Sequence, residues 1–458
     1  MATPRVRKPL TVGSHDLPVS PELDDLMARD WAPSPLPGDL ALRVAARTPA
    51  RRARLSARFP GERIIVPAGE LRVRSADCDH RFRPHSAYAW LTGLGGEDQV
   101  GHVLVLEPDG PAGHEPVLYV RPRSPRAGGE FYRDRRHGEF WVGRRPELDE
   151  VERMTGIRCV DLTEQDPPPG RSVVTDAEVA AVASELRLVK DFWEIGELQT
   201  AVDRTTAGFE DVVRALPTAL AHPRGERWVE GVFGLRARAE GNGTGYETIA
   251  ASGAHACVLH WIRNDGRLDP DELLLLDAGV ETDTLYTADI TRTLPLSGRF
   301  SPVQRRVYEL VLAAQEAGMA AVKPGAAFRD FHRAAMRVIA EGLADWGVLP
   351  HAEGDLHRRY TLCGSGHMLG LDVHDCAQAR ASAYTDGVLE EGQVLTVEPG
   401  LYFQPDDLTL PPELRGIGVR IEDDLVVTAD GARLMSGALP READEVEAWM
   451  GELLDRRG

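Results

Sequence analysis

Apolar positions recur along this chain in two rhythms. Between residues 41 and about 165, short aliphatic runs stand out at 63–69 (RIIVPAG), 102–108 (HVLVLEP) and 115–122 (EPVLYVRP). Runs of this length, rich in Val and Ile and bounded by Gly, Pro and charge, predict strands. With helical pieces between them they predict an N-terminal α/β domain over 41–174. The stretch 163–176 (TEQDPPPGRSVVTD) reads as a linker by composition. Beyond it, apolar residues three and four apart predict two helices within 176–216, the second over 191–216. A new domain is therefore expected over 175–458. Its pattern alternates again, with strands expected in 247–252, 272–279, 284–294, 393–403 and 417–428, and helices over 302–322 and 328–347. The overall expectation is an α/β (α+β) chain.

Composition narrows the function more than the fold. A chain of 458 residues with 42% hydrophobic positions can build two or three cores. Acids outnumber bases 72 to 53, a net charge of −19, which argues against nucleic acid or an anionic membrane as the main partner. There is no apolar run of 18 residues, so no transmembrane helix is expected. The first ten residues are basic but carry no apolar core, so no signal peptide is expected. Five scattered cysteines without a CxxC pair fit a reducing cytoplasm better than a disulfide framework. Residues 1–40, rich in proline and charge, read as an arm, either extended onto a neighbouring subunit or disordered.

The chemistry lies in the C-terminal half. Two segments share one design: an apolar strand ends in an acid, and a later strand carries a second acid in apolar surroundings. Asp277 in DELLLLDAG is followed by Asp289 in TADITRT, and Glu398 in EGQVLTVEPG by Glu422 in VRIEDD. Hairpin returns can bring each pair together, which predicts an internal two-fold repeat. Four converging carboxylates raise one another's pKa values and call for compensating charge. Two divalent cations supply it, with His367 of CGSGHMLGLDVHD as a neutral fifth ligand. Oxygen donors with one imidazole favour Mn²⁺ and leave zinc, cobalt and iron open. Residues two apart share a strand face, so Thr291 accompanies Asp289 and Arg420 accompanies Glu422, as supports for the ligands.

These stretches, together with YETIAASGAHACVLHW, GHMLGLDVHD, TVEPGLYF and GVRIEDD, resemble the pita-bread metallopeptidases, and most closely aminopeptidase P (Xaa-Pro aminopeptidase), over about 185–440. SAYAWLTGL and GEFWVGRR extend the resemblance to that family's first domain. The resemblance implies a C-terminal pita-bread domain with pseudo-two-fold symmetry, and release of an N-terminal residue preceding proline by attack of a metal-bridging hydroxide. It implies that Asp277 ligates one metal, His367 and Glu398 the second, and that Asp289 and Glu422 bridge, with Glu398 also moving a proton. His260 and His374 match substrate-facing histidines, Arg420 a supporting arginine, and Tyr402 a tyrosine near the substrate. Trp141 matches an aromatic that reaches a neighbouring subunit's site in a homo-oligomer, a dimer or tetramer. The family often has a histidine where this chain has Cys363, which would line the proline side of the cleft. A proline dipeptidase, an inactive pita-bread binding scaffold and a metal-free amidinohydrolase on the same fold are the competing readings.

Overall fold

The computed structural model describes residues 16–36, 40–110 and 113–455. The expected arm therefore lies outside the described residues at 1–15 and 37–39. Its remainder is not extended throughout: Pro21–Met27 is helical, begun by Ser20, whose side chain accepts from Leu23 N, and by proline at the first helical position. Chain contacts divide the molecule into two compact units, residues 1–183 and 184–458.

In the first unit the three expected runs form strands Ile64–Pro67, Val103–Asp109 and Gly113–Val120 of a five-stranded mixed sheet. Their neighbours pair antiparallel, with Ile64 opposite Leu106 and Val105 opposite Val117. The edges are parallel additions, Arg158–Asp161 on one side and Arg171–Ser172 on the other. The second edge falls inside the stretch that composition marks as a linker. Pro167, Pro168 and Pro169 keep the chain extended, and Arg171 N then donates to the Arg63 carbonyl at 2.9 Å. A two-residue parallel pairing leaves no periodic trace in sequence.

The second unit repeats one plan. A helix pair, Phe192–Ala221 and Gly225–Glu240, leads to strands Ile249–Ser252, Leu273–Ala278 and Ile290–Pro295. A second helix pair, Pro302–Ala321 and Asp330–Asp345, leads to strands Val394–Val397, Gly400–Tyr402, Gly418–Arg420 and Asp423–Val427. The helix starts follow from their caps. Asp191 accepts from Trp193 N and Glu194 N while Glu194 reaches back to Asp191 N, and Ser301 forms the same box with Gln304 behind Pro302. The first helix runs past Pro217 to Ala221; so near its end, proline forfeits one backbone hydrogen bond and the helix survives.

Two hairpins form the centre. In the first, Leu273–Ala278 pairs antiparallel with Ile290–Pro295, Asp277 facing Thr291. In the second, Val397 faces Asp423 and Gly400 faces Arg420, so one register runs through both strand pairs and sets Glu398 opposite Glu422. The hairpins are tied together: Glu422 N donates to the Thr291 carbonyl at 3.1 Å, and Arg420 N to Thr293 Oγ1 at 3.1 Å.

Candidate metal centre

Each acid arrives at the centre by a backbone rule. Asp277 is the penultimate residue of a fully buried strand and Asp289 immediately precedes the strand that returns beside it, so both point to one side of the first hairpin. Glu398 and Glu422 occupy the matching positions of the second. His367 comes from a segment running along Val394–Val397: Thr396 N donates to the His367 carbonyl at 2.8 Å and His367 N to Thr396 Oγ1 at 3.1 Å. Gly366 permits that approach, since a Cβ there would lie 2.2 Å from the Thr396 carbonyl oxygen, at a φ of +154°.

The five side chains form one connected cluster. Asp289, His367 and Glu422 each offer a donor atom within 4.8 Å of the others. His367 Nε2 lies 3.2 Å from Asp289 Oδ2 and 3.6 Å from Glu398 Oε1. Tyr246 OH joins Asp277 to Asp289, at 2.6 Å and 2.5 Å. Arg420 backs the group, donating to Asp277 Oδ2 at 2.6 Å, Thr291 Oγ1 at 3.1 Å and Tyr402 OH at 2.9 Å. Thr291 Oγ1 in turn donates to Glu422 Oε2 at 2.7 Å. Thr291 and Arg420 therefore stand directly behind the carboxylates.

The electrostatics are those of a site short of positive charge. Burial first, and then the Asp289, Glu398 and Asp277 charges, lift the Glu422 carboxyl well above the usual range, against Arg420. Burial and Asp289 push Glu398 up to about 7 despite His367 and Arg420. Burial lowers His367, but its hydrogen bond with Asp289 and the Glu398 and Asp289 charges outweigh this and raise it to about 9. Asp277 is raised by burial and Asp289, with Arg420 opposing. A phenol has one proton to donate, so Tyr246 between two carboxylates requires a proton on one of them or a cation nearby.

The donor set fits divalent cations. Glu422 is 1% exposed, and its Oε1 is buried without a hydrogen-bond partner, an arrangement that costs free energy unless an ion occupies it. Four carboxylates and one imidazole match the charge of two such ions.

The remaining expected residues are placed as follows. The His374 ring meets that of His367 edge to face at 4.4 Å between centroids. Burial and the His367 and His260 charges hold His374 below the ordinary histidine range, so His260 lies within electrostatic reach of it. Both histidines are exposed. The His374 loop is anchored by Asp375, 1% exposed, which pairs with Arg187 and Lys190 at 2.9 Å each. Cys363 is exposed, and burial together with the Glu398 charge raises its thiol. Tyr402 is buried against Arg420. Trp141 belongs to the first unit, where its indole donates to the Tyr132 carbonyl at 2.7 Å and Arg135 stacks over its ring; it is not among the residues the second unit gathers.

Two contributors escaped the sequence reading. Tyr246 lies outside any strand, and its neighbours give it no periodic signal. Asp424 is fully buried, takes Asp289 N on Oδ2 at 3.2 Å and leaves Oδ1 unpartnered. The alternation that pairs Arg420 with Glu422 on one face extends to Asp424 and could have found it.

Comparison with known proteins agrees with this geometry. Residues 196–429 match the family model "Metallopeptidase family M24", and residues 49–167 match "Aminopeptidase P, N-terminal domain". The chain is 54% identical to Xaa-Pro aminopeptidase 1 of Streptomyces coelicolor, over 95% of this chain and 93% of that one. It is 30% identical to the Xaa-Pro aminopeptidase of Escherichia coli, over 87% and 96%. Among solved structures, proline aminopeptidase P II from Yersinia pestis superposes with a TM-score of 0.76 at 30% identity, over 89% of this chain and 99% of that one. Zinc-substituted E. coli aminopeptidase P in complex with product gives 0.75 at 28%, over 89% and 98%. The two hairpins are thus the core of a pita-bread fold, and membership of this family implies divalent metal ions. The chain belongs to metallopeptidase family M24, in its aminopeptidase P branch.

Proposed function

We propose that this protein is a dinuclear aminopeptidase that releases the N-terminal residue from peptides whose second residue is proline. The observation that carries the reading is the convergence of Asp277, Asp289, His367, Glu398 and Glu422, with a buried Glu422 oxygen left without a partner. Asp277 would hold one divalent ion, His367 and Glu398 the other, and Asp289 and Glu422 both. The donor set favours Mn²⁺. Held by these residues, the ions would offset the carboxylate charge and would supply Lewis acidity for the carbonyl before proline and for water at neutral pH.

The chain's own groups do the rest. Glu398, whose side chain keeps 21% exposure, passes a proton to the leaving nitrogen. His260 and His374 face the substrate and stabilise negative charge developing on its carbonyl oxygen. Arg420 fixes Asp277 and Thr291, and Tyr402 borders the substrate. A prolyl nitrogen carries no N–H, so the ring must be recognised by shape; Cys363 lines that side of the cleft.

The reading includes a homo-oligomer, dimer or tetramer. Phe140, Trp141 and Val142 expose consecutive apolar side chains in the first unit, with Trp141 offered to a neighbouring subunit's site. The five free thiols suit the cytoplasm.

Mn²⁺-loaded protein assayed on an Xaa-Pro-Xaa tripeptide, an Xaa-Pro dipeptide and a tripeptide without proline tests the assignment. Preferential cleavage of the first is expected. Cleavage of the dipeptide alone would make the protein a proline dipeptidase, and cleavage of none a binding scaffold.

A further inference from the structure

His260 sits on a loop running from Ser252 to Gly266, and one carboxylate holds that loop. Glu226, in the first turn of helix Gly225–Glu240, is 0% exposed. Its Oε1 accepts from Ser252 N at 2.9 Å and His255 Nδ1 at 2.7 Å. Its Oε2 accepts from Trp261 Nε1 at 2.8 Å and Gly266 N at 2.7 Å. The donors thus include both ends of the loop and the residue that follows His260. Trp261 is fixed further: its ring stacks on His255 at 3.8 Å and 21° between planes, and Arg263 lies over it at 4.3 Å. Ile262 N donates to the His260 carbonyl at 3.0 Å, a tight turn centred on Trp261. The packing leaves no slack: a Cβ on Gly266 would lie 2.7 Å from Glu226 Oε2 and 2.8 Å from His255 Cε1. His260 itself is exposed, and no hydrogen bond holds its ring among those found for the described residues.

We propose that Glu226 is a positioning residue for His260: with four donors on a buried carboxylate it sets the loop that presents the imidazole to the substrate. The proposal rests on the reading of His260 given above. None of Glu226's four hydrogen bonds goes to a residue of the candidate metal centre, so the route proposed for its effect is the loop that carries His260.

The test is a double-mutant cycle on the full-length, Mn²⁺-loaded chain with an Xaa-Pro-Xaa tripeptide. E226Q keeps the volume but offers one acceptor oxygen, so Ser252 N or Gly266 N must face an NH₂ group. A shift of the histidine approaching about 1 Å can cost up to about 100-fold in kcat, so a loss of about 10–100-fold is the scale to look for. The expected result is that loss for E226Q, with KM and bound metal unchanged, and less than a twofold further loss when E226Q is added to H260A. Equal losses in the wild-type and H260A backgrounds, or none in either, overturn the proposal and leave the reading of His260 standing. Full activity of H260A alone overturns that reading, and the positioning role with it. Should E226Q fail to fold, W261F removes one donor, keeps the stacked ring, and is judged by the same two outcomes.

Discussion

Glu422 and Glu398 make the charge problem of the site measurable. In the metal-free chain His367 is lifted to about 9 and Glu398 to about 7, and both must shed protons to bind a cation. Metal uptake at neutral pH should therefore release protons, and affinity should rise from pH 6 to 8; titration calorimetry in buffers of different ionisation enthalpy reads this directly. The stability of the stripped chain has a definite sign as well. The ordinary values are 4.5 for Glu398 and 6.5 for His367, and both are raised on folding. Their stabilisation is complete below those values and is lost as pH climbs through about 7 and then about 9. The Tm of metal-free protein should fall over that window, while the loaded protein, its ligands already deprotonated, should hold. Arg420→Lys should cost about 10–100-fold in kcat/KM, because a compact ammonium cannot reach Asp277, Thr291 and Tyr402 together. The placing of the four acids was readable from sequence because an acid ending an apolar strand is costly enough to need a reason. Tyr246 was not readable, since a tyrosine between glycine and glutamate disturbs no pattern.

Hairpins and loops turn these residues into a site. Register alone places the acids: Asp277 faces Thr291, and the same alternation carries Glu398 to Glu422. The helices and main strands were legible for local reasons, capping boxes at Asp191 and Ser301 and aliphatic runs such as Leu273–Ala278. The edge strand Arg171–Ser172 was not, because its pairing with Ile64 and Ile65 is non-local. The passage beyond Pro217 was missed because proline near a helix end costs little. Nor could sequence reveal that Asp375 is a buried anchor, since its partners Arg187 and Lys190 lie far away along the chain. Asp375→Ala leaves two buried cations with one fewer partner and should lower unfolding free energy by about 3–5 kcal/mol, read from denaturant curves. A loss under 1 kcal/mol would show the triad to be dispensable.

At the scale of the whole molecule, the chain divides into two compact units and matches aminopeptidase P relatives along nearly its full length, and the five residues of the candidate metal centre all lie within 184–458. No helix among the described residues is long and apolar enough to cross a membrane. The assembly reading predicts a dimer or tetramer by light scattering at assay concentration; a monomer with full activity would refute a shared site at Trp141. The central claim is that five side chains hold two divalent ions which the reaction requires. Mn²⁺ titrated into metal-stripped, full-length protein, with bound metal and tripeptide hydrolysis followed in the same samples, tests it most directly. Activity should appear as occupancy approaches two ions per chain, and Glu422→Gln should lower both. Full hydrolysis by protein free of metal, or binding indifferent to Glu422→Gln, would contradict the account.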